Sequence, residues 1–359
     1  MGDVGVHKRN SIAESSSYLS MKFREPKSIQ IIAMKGNSFR TEINSISSYA
    51  IILKDRILTT GSCFAQQFGD WLNGNKFDVV SNPFGTTYNP ISIHNNLLDT
   101  LTNTLNESLF VEQDEVFKHY DYHSQWWALE KKNLADQIHN QQAEVSQFIK
   151  KSNVVIITYG TAWVYSYKAE KKIVSNCHKA SATLFEKRLL TVDEIIKSFN
   201  ELYKSLKKLN PDTRFILTVS PVRHIKDTLQ LNGVSKAALR LACDSIVNKY
   251  DKVDYFPSYE IMMDDLRDYR FYERDMIHPT KEAFDYISQK FSDQYFPADI
   301  VSFIEKWKNL KQALQHKPFH PGSSQHQLFL KDLLTKLKSI KEVSLDEEIN
   351  LVQSQLTNA

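Results

Sequence analysis

Residues that could carry out nucleophilic catalysis occur at two distant places in the sequence. The stretch LTTGSCFAQQFGDWL (58–72) has a hydroxyl and a thiol side by side, at Ser62 and Cys63. Near the other end of the chain, RDMIHPT (274–280) has Asp275 three residues before His278. A serine or cysteine nucleophile needs an imidazole base, and that base needs a carboxylate to fix its tautomer. Together the two stretches predict covalent acyl transfer.

Each of these residues also has a purely structural interpretation. A serine before a helix is commonly an N-cap, and either Asp275 or His278 could cap the helix that follows them. Cys63 competes as nucleophile, because a helix N-terminus lowers the pKa of a thiol. One residue after Ser62, however, we expect its side chain to point into the core under the helix, where small buried cysteines are common. We therefore assign the nucleophile to Ser62.

Composition excludes several classes of protein. The 359 residues are 42% hydrophobic and 24% charged, which is ordinary for a globular protein. With 45 basic and 42 acidic residues the net charge is +3, which argues against nucleic acid as a partner. No apolar run is long enough to span a membrane, and we expect no secretory signal and no membrane partner.

The three cysteines, Cys63, Cys177 and Cys243, are widely spaced and suggest neither a zinc site nor a disulfide framework. A reducing, cytoplasmic location fits this usage best. We predict no metal and no organic cofactor. The sequence indicates nothing about protein partners.

Short apolar strands alternate with amphipathic helices along most of the chain. This pattern predicts an α/β fold with a parallel sheet covered by helices on both faces. Active sites of such sheets lie at the carboxyl ends of the strands. The predicted strands are 56–61, 77–84, 153–160, 214–221 and 253–261, and the predicted helices are 63–75, 89–101, 191–211, 235–250 and 279–296.

Segments outside this alternation divide the chain. Residues 1–36 are polar and serine-rich, and we expect a poorly ordered extension there. Residues 37–297 form the main domain, and the aromatic segment 107–135 is expected to be an insertion over the sheet edge. Residues 298–359 are expected to be C-terminal helices packed on that domain, ending in a frayed tail.

Six ordered motifs resemble the GSCFA-domain family, whose name is the sequence of residues 61–65. The resemblance extends from about residue 38 to about residue 340. The family is similar to SGNH (GDSL-like) hydrolases, which implies a three-layer α/β/α sandwich, a parallel five-stranded sheet of order 2-1-3-4-5, and activity on esters. The motifs are TTGSCFA (59–65), NPFGTTYNP (82–90), TYGTAWVY (158–165), NCHK (176–179), SPVRH (220–224) and DMIHPT (275–280).

The resemblance implies roles for individual residues. Ser62 matches the nucleophile, His278 the base and Asp275 its carboxylate. The N–H groups of Ser62 and Gly85 match the oxyanion hole.

One departure is clear, because Ala162 occupies the position at which SGNH enzymes carry an asparagine that donates to the oxyanion. Losing such a donor costs on the order of 10²-fold in rate. Asn82, Asn89 and His224 are the candidates to replace it.

Further polar residues are candidates for substrate binding at the same sheet edge. Arg223 could hold an anionic or carbohydrate substrate, and Trp126 and Trp127 are either core residues or a sugar-stacking surface. The remaining candidates are His123, Gly160, Thr161 and His178.

We therefore predict an SGNH-type serine esterase that hydrolyses an O-acyl ester, for example an acetyl group on a carbohydrate. An O-acyltransferase with the same triad is one alternative. The other is a carbohydrate-binding module on a degenerate hydrolase fold, which the missing asparagine favours and the retained Ser, Asp and His oppose.

Overall fold

A computed structural model of the chain describes Ile43, Ser47 and residues 49–357. The extension expected over residues 1–36 lies outside these described residues. Within them, no helix combines the length and the apolar character needed to cross a membrane.

The secondary structure of the described residues alternates as the sequence indicates, with additional short elements. The strands are β1 (Arg56–Gly61), β2 (Asp78–Ser81), β3 (Phe110–Gln113), β4 (Val116–His119), β5 (Val154–Tyr159), β6 (Trp163–Tyr167), β7 (Lys172–Val174), β8 (Phe185–Leu189), β9 (Arg214–Val219) and β10 (Val253–Phe256). The helices are α1 (Cys63–Gly74), α2 (Pro90–Thr102), α3 (Lys131–Ile149), α4 (Val192–Leu209), α5 (Thr228–Lys249), α6 (Ser258–Glu260), α7 (Lys281–Tyr295), α8 (Ala298–Gln315), α9 (Ser324–Ser339) and α10 (Asp346–Thr357). Single turns of 3₁₀ helix are formed by Glu107–Leu109, Ala182–Leu184, Ile225–Asp227 and Tyr269–Phe271, and Ile261–Asp265 is a π-helical turn.

A parallel sheet of five strands forms the centre, in the order β2-β1-β5-β9-β10. Numbered among themselves along the chain, these strands have the order 2-1-3-4-5, so the predicted fold class and topology are confirmed. All neighbouring pairs are parallel, which brings the carboxyl ends of the strands to one edge.

Alternate residues of the buried strands face two separate cores. In β5, Val154 and Ile156 belong to one core, while Val155 and Ile157 belong to the other. The first core is completed by side chains of α1, α7, α8, α9 and α10, and the second by α2, α3, α4 and α5. Because side chains point alternately to the two faces of a strand, this division makes a three-layer α/β/α sandwich.

Several elements were not predicted. The helix α3 has a mostly polar sequence, and only a narrow stripe that includes Leu134 and Ile138 is buried, so its helical period is weak. The antiparallel sheet β7-β6-β8 is largely half-exposed and lacks the continuous apolar runs of the central strands. The helix α5 begins seven residues earlier than predicted, because Asn232 and Gly233, which favour turns, lie inside its first turns.

The C-terminal helices pack against the same core as α1. Leu337, Leu345 and Val352 are almost fully buried in it. The indole N–H of Trp307 donates to the carbonyl oxygen of Gly74, the last residue of α1, at 2.8 Å.

Truncating a buried leucine of the C-terminal helices will destabilise the whole domain. Leu337→Ala is expected to lower the free energy of unfolding by about 2 to 5 kcal/mol, through lost burial and the cavity it leaves. Leu328→Ala, on the same helix but with the side chain mainly in solvent, is the matched control and should change stability by less than about 0.5 kcal/mol. Urea unfolding measures both, and equal effects would show that α9 does not contribute to the common core.

Candidate functional site

The turn that follows β1 is set by a glycine with a positive φ. Gly61 has φ +132°, and a Cβ at this position would overlap the carbonyl oxygen of Thr158 on β5. The N–H of Ser62 donates to that same oxygen at 3.1 Å. The chain therefore leaves the sheet while still bonded to the neighbouring strand, which only glycine permits.

Asn82 holds the turn from the other side. Its side-chain oxygen accepts the N–H of Gly61 at 2.8 Å, and its amide nitrogen donates to the carbonyl oxygen of Ser62 at 3.2 Å. Both polar ends of the side chain are thus bonded to backbone. Asn82, predicted as a substrate or oxyanion ligand, positions the turn instead.

Ser62 and Cys63 have different surroundings. Ser62 is the N-cap residue of α1, but its side chain makes no capping hydrogen bond, is 0% exposed, and has a buried Oγ with no partner among the described residues. Cys63, expected in the core, is half-buried and belongs to neither large core. Of the two adjacent side chains, that of Cys63 is therefore the more accessible one.

Cys63 is the first residue of α1. Burial raises the pKa of its thiol, while hydrogen bonds from the backbone N–H groups of Phe64 and Cys63 and the charge of Lys236 counteract that effect. At neutral pH the group is therefore a thiol, with groups around it that would stabilise the thiolate.

Lys236 is a fully buried lysine that the sequence analysis overlooked. Its Nζ donates to the carbonyl oxygens of Gly160 at 2.8 Å and Ser220 at 2.7 Å, so it ties the ends of β5 and β9 together. Burial lowers the pKa of Lys236 to about 7, and the nearby Cys63 opposes this shift. Its spacing could have indicated burial, because Lys236 lies three residues before Leu239 and seven before Cys243, on the apolar face of α5.

His224 and Gly160 meet at the edge of the sheet. A Cβ on Gly160 would lie 3.2 Å from Nε2 of His224 and 3.1 Å from the ring of Tyr88. That Nε2 is buried and has no hydrogen-bond partner in the part of the chain that the structure describes. Burial lowers the pKa of His224 to about 4, and the charges of Lys236 and His278 contribute. His224 is therefore a neutral imidazole at neutral pH.

Asp275 and His278 form a preorganised pair. The Nδ1 of His278 lies 2.6 Å from one carboxylate oxygen of Asp275, and the other oxygen accepts the backbone N–H groups of Ile277 and His278 at 2.9 and 3.0 Å. These hydrogen bonds hold the pKa of Asp275 at about 2. Both side chains are exposed, which leaves Nε2 of His278 directed to solvent or substrate. The loop then leads into α7, which Thr280 caps, and Pro279 precedes the cap instead of opening the helix.

The N–H groups of Ser62 and Gly85, which were predicted to form the oxyanion hole, both donate to backbone carbonyl oxygens instead. Ser62 donates to Thr158, and Gly85 donates to the carbonyl oxygen of Asn82 at 2.8 Å. Gly85 has φ +80° and lies against His123, so its conformation serves a tight turn. The N–H groups of Cys63 and Phe64, at the start of α1, are instead the ones that interact with the thiol of Cys63.

The other candidates divide into edge residues and structural residues. Thr161 bonds Ser235 at 3.0 Å and stays at the edge beside Gly160. Asn89 caps α2, with both ends of its amide on Ser92 at 2.9 Å. His178 has partners on both ring nitrogens, the carbonyl oxygen of His119 at 2.8 Å and Ser124 at 3.4 Å.

Arg223 lies next to His224 and contacts Tyr272 and Met263. Of the two tryptophans, Trp126 packs on a core and Trp127 is exposed. Among the described residues, no group of three or more His, Cys, Asp or Glu side chains could hold a metal ion.

Comparison with known proteins adds a family assignment to this geometry. A model of the GSCFA family matches residues 56–291, and a model of the C-terminal domain of GSCFA domain proteins matches residues 307–358. The first match alone covers more than half of the chain. No curated protein matches the sequence.

Solved structures show only distant similarity. A candidate platelet activating factor from Streptococcus pneumonia is 12% identical, with 67% of this chain and 84% of that chain covered and a TM-score of 0.35. An acetyl esterase mutant with an acetate ion and a carbohydrate esterase family 3 structure from Talaromyces cellulolyticus are each 10% identical, with 71% of this chain and 99% of the other covered and TM-scores of 0.33. Similarities of this size carry no argument about the activity of this chain.

Two glycine-to-alanine substitutions should act in opposite directions. Gly61→Ala is expected to destabilise the protein by about 2 to 5 kcal/mol, because its Cβ would overlap Thr158 at a φ that alanine disfavours. Gly233→Ala, inside α5 with nothing near the added Cβ, should stabilise it by about 0.5 to 1 kcal/mol. Thermal or urea unfolding of both variants measures the difference. A tolerated Gly61→Ala would mean that the turn does not require the bond from Ser62 to β5.

Proposed function

The chain belongs to the GSCFA family, and from this premise we propose that it hydrolyses an O-acyl ester through a covalent acyl-enzyme formed on Cys63. Asp275 and His278 supply the base. The observation that carries the proposal is their hydrogen-bonded pair, which orients an imidazole with one free nitrogen. A histidine held in this way by a carboxylate is the base that a weak nucleophile requires.

The position of the pair supports this role. His278 is near enough to His224 for its charge to lower the pKa of His224. His224 in turn contacts Tyr88 and lies against Gly160, whose carbonyl oxygen binds Lys236. Since Lys236 interacts electrostatically with Cys63, this chain of neighbours extends from the base to the thiol along the carboxyl edge of the sheet.

The choice of Cys63 over Ser62 rests on access. The Ser62 side chain is enclosed, whereas Cys63 is half-buried at the start of α1. Because burial raises the pKa of Cys63, the thiol needs a base at neutral pH, and His278 is the base that we propose. Ser62, the nucleophile predicted from the family resemblance, is the alternative that experiment must separate from it.

The reaction would proceed in two balanced steps. The sulfur of Cys63 attacks the ester carbonyl as Nε2 of His278 takes the thiol proton, and the same imidazole returns that proton to the leaving alcohol. Water then attacks the thioester, with His278 again accepting and returning a proton, which releases the carboxylic acid and the free thiol. Asp275 stabilises the imidazolium in both steps.

The developing oxyanion needs hydrogen-bond donors in place of those predicted. The N–H groups of Cys63 and Phe64 at the positive end of α1 are suited to this task. His224 is the best of the three predicted replacements for the asparagine missing at Ala162, because Asn82 and Asn89 are fully bonded and its Nε2 is not. As a neutral imidazole it can donate one N–H.

Substitution of the two neighbouring residues tests the nucleophile. On 4-nitrophenyl esters of graded chain length, Cys63→Ala should lower kcat/KM by at least about 10³-fold, while Ser62→Ala should stay within about tenfold of the unmodified protein. Cys177→Ala is the matched control, since Cys177 is also half-buried but packs against the small core cluster that contains Leu109 and Tyr120. Mass spectrometry of the quenched reaction should find the acyl group on the peptide that contains Cys63.

A Ser62→Ala variant without activity beside an active Cys63→Ala variant would assign the nucleophile to Ser62. Adding glycerol or glucose to the assay distinguishes hydrolysis from acyl transfer, because transfer would yield the acylated acceptor in place of the free acid. Failure of the unmodified protein to cleave any ester of the panel would contradict the proposed activity.

Removing the buried positive charge should make Cys63 harder to ionise. Below about pH 7, where Lys236 is charged, Lys236→Met is expected to slow the alkylation of Cys63 by iodoacetamide, because the ammonium group favours the thiolate. Lys249→Met, at the exposed end of the same helix, is the control. Lys236→Met leaves the carbonyl oxygens of Gly160 and Ser220 without the donor that Lys236 supplies, so circular dichroism must first show that this variant is folded. An unchanged alkylation rate below about pH 7 would remove Lys236 from the proposed activation.

A further inference from the structure

A small cavity is lined by chain neighbours of residues in the proposed site, with Arg223 next to His224 and Tyr272 three residues before Asp275. Its lining includes Arg223, from the loop after β9, Met263, from the π-helical turn, and Tyr272, from the loop that leads to Asp275. Its volume is about 200 Å³. Thioether and aromatic groups form much of the wall, and the guanidinium of Arg223 lies among them.

The charge of Arg223 has no anionic partner within residues 49–357. Its Nη2 lies 3.4 Å from the sulfur of Met263, and its guanidinium carbon lies 4.8 Å from the ring centroid of Tyr272. By contrast, the neighbouring Arg267 pairs with Asp264 at 3.0 Å. An arginine held over an aromatic ring, half-buried and without a carboxylate, is available to an anionic ligand.

The one carboxylate that lines the cavity is already engaged. Asp268 accepts the backbone N–H of Arg270 at 2.9 Å and lies 3.8 Å from the Nε of the same residue. With Arg223 and Arg267 on the wall as well, the net charge of the lining is positive. An anion entering the cavity therefore meets no uncompensated negative group.

Backbone bonds connect the cavity wall to the catalytic pair. The loop from Phe271 to Thr280 folds back on itself, with the N–H of Glu273 on the carbonyl oxygen of His278 at 2.8 Å and the N–H of Thr280 on that of Phe271 at 2.9 Å. Tyr272 on one side of this loop lines the cavity. The distance between the cavity and His278 is thus fixed by a short, bonded piece of backbone.

Resting on the proposed function, we propose that this cavity binds a carboxylate carried by the ester substrate, with Arg223 as its ion-pair partner. The substrate class is then an ester whose acyl or alcohol part ends in a carboxylate. The planar guanidinium can hold both carboxylate oxygens, and the thioether and aromatic walls suit the short carbon chain between the carboxylate and the ester. Half-burial strengthens the ion pair relative to one in open water.

Paired esters that differ only in charge test this assignment. For the acyl side, 4-nitrophenyl hydrogen glutarate is compared with 4-nitrophenyl valerate, and for the alcohol side, 4-acetoxybenzoate is compared with phenyl acetate. Arg223→Met should lower kcat/KM for the charged member of one pair by about 10²-fold and leave its neutral partner within about threefold. Arg188→Met, which removes an arginine that is paired with Glu194 and does not line the cavity, is the control and should have little effect on either.

If the glutarate ester depends on Arg223, the acyl part of the substrate carries the carboxylate. If 4-acetoxybenzoate does, the alcohol part carries it. Arg223→Lys should retain part of the preference, because it keeps the charge and loses the planar fork. An equal loss on charged and neutral esters, or no loss on any of the four, would overturn the proposal.

Binding of a ligand that cannot be cleaved separates this proposal from the proposed activity. Isothermal titration with glutarate and with benzoate should detect binding of at least one of them to the unmodified protein and none to Arg223→Met. If no ester is cleaved but binding depends on Arg223, the proposed activity fails and the carboxylate site stands. If esters are cleaved without any preference for charge and neither ligand binds, the carboxylate site fails and the activity stands.

Discussion

A hydrogen bond from the N–H of Ser62 to the carbonyl oxygen of Thr158 determines how the chain leaves the first strand. The bond exists only because residue 61 has no Cβ. It keeps Ser62 bonded to β5 although α1 begins at the next residue, and it uses the N–H of Ser62, whose side chain is fully buried. The next residue, Cys63, is therefore the first whose side chain and N–H lie at the free end of α1. The chemistry proposed here follows from that shift by one position.

The five central strands could be predicted because each is a short apolar run that ends in small or polar residues, and their order could be predicted from the resemblance to SGNH hydrolases. The pairing of Asp275 with His278 could also be predicted, since three residues of one turn bring the two side chains together. Which of the two side chains, that of Ser62 or that of Cys63, is accessible could not be predicted. It depends on a bond between β1 and β5, two strands almost a hundred residues apart, and neighbouring residues in a sequence carry no record of such a bond.

Lys236 shows a different limit of sequence analysis. An isolated lysine on the apolar face of a helix usually extends its amine to solvent, whereas here the amine is bonded to the carbonyl oxygens of Gly160 and Ser220. Burying an ammonium group without a carboxylate costs stability, which the two carbonyl bonds only partly offset. Functional sites are where such costs are usually found. The lysine joins the ends of two strands, and its charge also acts on the thiol of Cys63, so a single side chain links the architecture of the edge to the proposed reactivity.

The carboxyl end of α1 is bonded to the C-terminal helices, through the indole of Trp307 on Gly74 and an ion pair between Lys76 and Glu348. The amino end of the same helix carries Cys63. A helix of 12 residues is about 18 Å long and resists bending over that distance. The C-terminal helices thus hold one end of a rigid helix, α1, whose other end carries Cys63. Changes in their packing, far from any substrate, would be transmitted to Cys63 as a tilt of α1, so the regions that match the two family models would act as one mechanical unit.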